Sequence, residues 1–174
     1  MIVLETERLT IRRLTADDAT FILRLLNEPS FLQHIGDRGV RTTADAIQYI
    51  VAGPIASYAR FGFGLFLVEL KDEHVPIGIC GLLKRDALDD VDVGFALVPE
   101  CWSKGYAFES ASAVLAYGRD THGLKRIVAI TSRENVASIN LLVKLGFSFD
   151  RMVAMPGEKE ELRLFARDLG EERP

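Results

Sequence analysis

The residues best suited to chemistry lie between Asp92 and Glu109, where the chain reads DVGFALVPECWSKGYAFE. An apolar run ends at Pro99, and a long helical pattern begins near Gly105. The connection carries Ser103-Lys104-Gly105-Tyr106-Ala107. The first turn of a helix presents backbone N–H groups without intrahelical acceptors, and the helix dipole puts its positive end there. Such a turn can hold a pyrophosphate. Gly105 permits an unusual dihedral and a close approach by an oxygen. Ala107 keeps the rim low, and Lys104 can add a formal charge. The same residues also fit a plain strand–loop–helix connection that contains a glycine. Neither G-x-x-x-x-G-K-[ST] nor G-x-G-x-x-G occurs here, so the turn is of neither the Walker nor the dinucleotide type.

A second polar group falls in Ser132–Phe147, SRENVASINLLVKLGF, where Asn135, Ser138 and Asn140 stand at a helix start. An amide there can cap the helix or reach a ligand across the sheet edge. For Asn135 alone, capping is sufficient. Cys80 and Cys101 form no CxxC, and His34, His74 and His122 are scattered. No metal-ligand spacing results, and two reduced thiols are expected.

The elements around these residues follow from periodicity. Arg8–Leu14 alternates as a strand. Thr15 or Asp17 then offers a cap for a helix running to about Asn27, stopped by Pro29. Residues 30–42 read as a loop. Thr42 or Thr43 caps a second helix that Pro54 kinks, with a further turn to Tyr58. Phe63–Leu70 and Pro76–Lys84 form an antiparallel hairpin across the turn 71–74, and Val91–Val98 is the next strand. A helix from about Gly105 to Thr121 stops at Gly123. Arg126–Thr131 is a strand, and Glu134–Leu145 is a helix closed at Gly146. Phe147–Met155 and Glu161–Asp168 are the last strands, and the tail 170–174 is expected to be loose. The expected architecture is α/β (α+β): one mostly antiparallel mixed sheet of about seven strands with helices on both faces. No internal seam divides the chain, so 1–174 reads as a single domain with its core at about 6–168.

Composition agrees with this. Of the 174 residues, 48% are apolar and 26% charged, with a net charge of −4. That balance gives no general affinity for nucleic acid. No apolar run is long enough to span a bilayer, and the start MIVLETERLTIRR lacks a signal-peptide layout. The cytoplasm is the expected location.

Three segments together resemble the GNAT superfamily of N-acetyltransferases, in its RimJ/RimL type. They are T-E-R-L-T-I-R-R-L (6–14), D-V-G-F-A-L-V-P-E-C-W-S-K-G-Y-A-F-E (92–109) and N-V-A-S-I-N-L-L-V-K-L-G-F (135–147). The order of elements matches that family over about residues 6–168. The resemblance implies a sheet splayed in a V and an acetyl-CoA cosubstrate, with no metal. It implies that the pyrophosphate sits on N–H groups of Ser103, Lys104, Gly105, Tyr106, Ala107 and Phe108. Ser103 stands where the family often has Gly, and Trp102 where its general form has Gln or Arg. The pantetheine arm would pair with the strand edge at Phe95, Ala96 and Leu97, and Asn135 and Asn140 match positions that touch the cofactor.

The implied chemistry is acyl transfer from a thioester to a neutral amine. An α-amine has a pKa of roughly 8 and a lysine of roughly 10.4, so an α-amine needs little help. Asp92, where the family usually has Glu, is the first carboxylate to consider as proton acceptor, and Glu109 the second. Asp92 also fits a role at the sheet edge, and Glu109 one at the helix dipole. Backbone N–H near Phe95–Leu97 would serve the developing oxyanion. Many family members place a Tyr near the thiolate, where this chain has Leu142; Ser138 matches a serine that the RimL-like branch offers to the thiolate, or else is a hydroxyl bonded to local backbone.

The acceptor would be a primary amine: a protein N-terminus, as in ribosomal-protein acetyltransferases, or a small molecule such as an amino acid, polyamine or aminoglycoside. A CoA-binding module without turnover is the third possibility. Glu28, Asp37, Glu158, Glu160 and Glu161 are acids that could draw a cationic amine. A monomer and a homodimer both remain open.

Overall fold

The computed structural model describes residues 1–170. The expected loose tail falls mainly at 171–174, outside the described residues. Among the described residues, eight strands form one sheet in the order β1-β2-β3-β4-β5-β6-β8-β7. They are β1 (Ile2–Glu5), β2 (Leu9–Arg13), β3 (Leu65–Leu70), β4 (Val75–Leu83), β5 (Asp92–Leu97), β6 (Arg126–Thr131), β7 (Ser148–Val153) and β8 (Leu162–Asp168). Every neighbouring pair is antiparallel except β5 and β6. The count exceeds the expected seven because β1 pairs with β2. Its run of four residues is too short to show a period.

The helices are α1 (Ala19–Leu26), α2 (Pro29–His34), α3 (Thr43–Ile50), α4 (Ala56–Phe61), α5 (Tyr106–His122) and α6 (Val136–Lys144). Helix α2 corrects the expected loop at 30–42. Pro29 opens a helix at its first position, where a missing N–H costs nothing. Thr42 rather than Thr43 caps α3, its hydroxyl accepting from Asp45 N while Asp45 Oδ2 accepts from Thr42 N. Pro54 does not break the chain's path: Val51–Ile55 form one wide π turn that carries α3 into α4.

Alternation along β2 sorts the two faces. Leu9 and Ile11 are fully buried, while Arg12 reaches the other way to Asp18, just before α1, and to Glu69. Helix α5 packs on β2, β4 and β5, with Tyr117 edge-on to Phe66. It ends at Gly123, whose φ of 65° lets Leu124 N reach Gly118 O. Gly146 ends α6 in the same way. These caps turn the chain back into the sheet and fix where α5 and α6 end.

Candidate active site

The site grows from one strand with two unlike edges. Toward β4, β5 is paired along its whole length, from Asp92 opposite Leu83 to Leu97 opposite Gly78. Toward β6 only Asp92 and Val128 pair, and beyond them the strands part. Asp92 thus sits at the vertex of a V. Backbone groups in an antiparallel strand alternate in direction. Val98 N donates to Ile77 O on the β4 side, and Val91 O accepts from Val128 N on the β6 side. The peptide groups of Phe95 and Leu97 therefore face the open slot. Those of Ala96 face β4, which corrects the expectation that all three residues offer the same edge. One carbonyl is already used, because Trp102 Nε1 donates to Leu97 O at 2.9 Å. Phe95 N–H, Phe95 C=O and Leu97 N–H remain.

At the far end of β5 the chain enters the turn. Ser103 has φ 58° and Gly105 φ 84°, both left-handed. Ser103 therefore takes the conformation for which Gly is favoured, at a cost in backbone strain. Among the described residues, no amide N–H from Ser103 to Phe108 has a protein acceptor; the first helical bond is Glu109 N to Gly105 O. Six consecutive donors at the N-terminus of a seventeen-residue helix form an anion cradle. A Cβ on Gly105 would come within 3.1 Å of Arg8 Nη2.

Arg8 is the residue that sequence reasoning passed over. Its Nη1 donates to Lys104 O at 2.9 Å, its Nε to Glu109 Oε2 at 2.7 Å, and its guanidinium lies 4.5 Å from the Tyr106 ring centre. Glu109 Oε1 also accepts from Thr6 Oγ1 at 2.6 Å and from Arg8 N at 2.9 Å. The β1–β2 connection thus braces the turn from behind. Burial pushes the Glu109 carboxyl up, but bonds from Thr6 and Arg8 outweigh it and hold it below its ordinary value. The available signal was the T-E-R of the opening motif, together with an acid in the first turn of α5.

Asp92 is the opposite case. It is 1% exposed, and Arg85 Nε donates to both its oxygens, at 3.1 and 3.2 Å. Burial raises its pKa, and the Arg85 charge only partly offsets that. On α6, Asn135 caps the helix by accepting from Ser138 N at 3.2 Å. The Ser138 hydroxyl and the side chain of Asn140 make no hydrogen bond among the described residues. Leu142 is buried in the core, and Lys144 Nζ rests 4.5 Å from the Phe108 ring centre, tying α6 to α5. Both cysteines are free and buried. Among the described residues no cluster of His, Cys, Asp and Glu could hold a metal, and no helix is long and apolar enough to cross a membrane.

The open edge and the amide cradle fit a ligand with an extended amide-bearing arm and a pyrophosphate, as acetyl-CoA has. Similarity points the same way. "Uncharacterized N-acetyltransferase YoaA" of Bacillus subtilis is 30% identical over 147 residues, covering 83% of this chain and 82% of its own. An acetyltransferase structure from Agrobacterium tumefaciens superposes with TM-score 0.80 at 23% identity, covering 96% of this chain and 94% of its own. RimL, the ribosomal L7/L12 alpha-N-protein acetyltransferase in complex with coenzyme A, superposes with TM-score 0.82 at 15% identity, covering 97% and 98%. Residues 8–148 match the acetyltransferase (GNAT) domain, and the chain belongs to that family of acetyl-CoA-dependent N-acetyltransferases.

Proposed function

We propose that the chain acetylates the α-amino group of a protein N-terminus. The observation that supports acetyl-CoA as the donor is the single-sided pairing of β5, whose open edge leads from Asp92 to the unpaired amides of Ser103–Phe108. Bound acetyl-CoA supplies an activated thioester. The amides of the turn hold its pyrophosphate, with Lys104 adding charge, and Phe95 and Leu97 hold its arm in register. Asn135, through its free Nδ2, and Asn140 flank it from α6.

Asp92 takes the proton of the attacking amine. Its carboxyl is raised by burial, which brings its proton affinity closer to that of an α-amine than an exposed aspartate would be. Glu109 is saturated by three donors and acts as a brace for the turn. The free hydroxyl of Ser138 donates to the departing sulfur, a modest task because a thiolate is a good leaving group. The N-terminal choice of acceptor draws on the fold shared with the ribosomal L7/L12 acetyltransferase.

The test is acetyl transfer followed by mass spectrometry, with N-terminal peptides, free amino acids, polyamines and aminoglycosides as acceptors. Acetylation of peptide α-amines is expected, and transfer to small amines alone would overturn the N-terminal assignment. Ser138→Ala should lower kcat by about tenfold while leaving acetyl-CoA affinity within about twofold. Equal losses in both would make Ser138 a binding residue instead.

A further inference from the structure

We propose that the acceptor carries an anionic group, a carboxylate or phosphate, close to its reacting amine, and that the cleft of Tyr49, Arg60 and Lys84 recognises it. This rests on the acetyltransferase reading above and narrows its acceptor.

The cleft has a volume of about 290 Å³ and lies between the α3–α4 segment and the ends of β3 and β4. Leu65 and Leu83 form its sheet side. The same two leucines flank Gly94: a Cβ there would lie 2.8 Å from Leu83 Cδ1 and 3.6 Å from Leu65 Cδ2. Gly94 immediately precedes Phe95, so the cleft adjoins the strand that borders the open slot. Its opposite wall is the wide turn at Gly53 and Pro54. Widened turns of this kind are frequent at functional sites.

The charge of the lining is one-sided. Arg60 and Lys84 contribute cations, and no Asp or Glu lines the cleft. Arg60 lies over the Phe61 ring and has no carboxylate partner among the described residues. Lys84 Nζ donates to the carbonyls of Arg85, Leu88 and Asp89, so it adds a positive charge beside the cleft rather than a free donor. The half-buried Tyr49 hydroxyl has no hydrogen-bond partner among the described residues. Its pKa is raised by burial against the pull of Arg38 and Arg85, so it stays a donor. The Arg60 guanidinium and the Tyr49 phenol as donors, with the Lys84 charge beside them, favour a carboxylate or phosphate and oppose a polycation.

The acids expected to attract a cationic amine stand elsewhere. Glu28 pairs with Arg24 and Asp37 with Arg41, while Glu158, Glu160 and Glu161 are exposed between β7 and β8. Asp92 is held by Arg85. A larger hollow of about 590 Å³ does mix acids and bases, but it lies across β1–β3, with β4 between it and β5.

The test uses isosteric acceptor pairs that differ in charge, with acetyl-CoA: free glutamate against glutamine amide, which has no carboxylate, and C-terminally amidated peptides beginning Ser-Glu-Glu against Ser-Gln-Gln. The acidic member of a pair should have kcat/KM about tenfold higher, through KM, and the gap should close at high salt. Arg60→Ala should bring the ratio to about one, and Arg60→Lys should keep most of it, with acetyl-CoA affinity unchanged in both. Tyr49→Phe should raise KM for the acidic member alone. Equal or better use of the amide twins, or a ratio untouched by Arg60→Ala, would overturn the proposal. Transfer to free glutamate but to no peptide would overturn the N-terminal reading and leave this one standing.

Discussion

Two carboxylates bound the segment from β5 to the first turn of α5, and their surroundings push them in opposite directions. Asp92, at the vertex of the V, is almost wholly buried and meets a single guanidinium. Glu109, beside the 103–108 turn, keeps 17% of its side-chain surface and accepts from three donors. Burial wins at the first and hydrogen bonding at the second. On the mechanism proposed above, the difference separates a group that exchanges a proton from one whose charge holds a loop in place. Proximity to the site alone would have treated them alike.

The largest test of this contrast is Asp92→Asn. The amide still accepts from Arg85 and no longer buries a charge, so stability at pH 7 should change by less than about 1 kcal/mol. Turnover should fall by about 100-fold or more. A stability loss without a turnover loss would reverse the assignment. Gly105→Val comes next. A branched side chain at φ 84°, against Arg8, should raise the acetyl-CoA Kd about 30-fold in calorimetry. Unchanged affinity would sink the cradle.

Glu109→Gln should have the smallest functional effect, about a threefold rise in Kd with kcat kept, and should cost about 1.5 kcal/mol in chemical denaturation. The pH dependence sharpens the comparison. The folded pKa of Glu109 is depressed, so its contribution is present above the ordinary glutamate value and is lost as pH falls through the folded one. The folded pKa of Asp92 is raised, so its contribution is present below the ordinary aspartate value and is lost as pH rises through the folded one. Stability differences from the wild type should therefore run with opposite slopes for the two variants between about pH 3 and 7.

Local signals carried most of the fold. Gly105, Gly123 and Gly146 all take the left-handed conformation that a glycine beside a helix end suggests. The capping pair Thr42–Asp45 marks α3 for the same reason: both partners lie within one turn. What escaped was short or distant. Strand β1 is too brief to display a period, and α2 hides behind a proline that opens helices as readily as it closes them. The contact between Arg8 and Lys104 spans ninety-six positions and obeys no periodicity. The sign of the Tyr49 cleft depends on which charges face each other in space. A chain with more acids than bases overall still presents a basic lining there.

The lone rung between Asp92 and Val128 has a thermodynamic reach beyond the site. Strands β1–β5 and β6–β8 form two half-sheets that share one parallel backbone pairing. An amide-bearing ligand laid between them, as proposed, would supply the missing ladder, and its binding energy would add to the cohesion of the molecule. At a free concentration one hundred times Kd, that linkage amounts to about 2.7 kcal/mol. Deuterium uptake at the Phe95 and Leu97 amides should then slow as acetyl-CoA rises, and the melting temperature should track its concentration. The resistance of this protein to unfolding becomes a gauge of the acetyl-CoA around it.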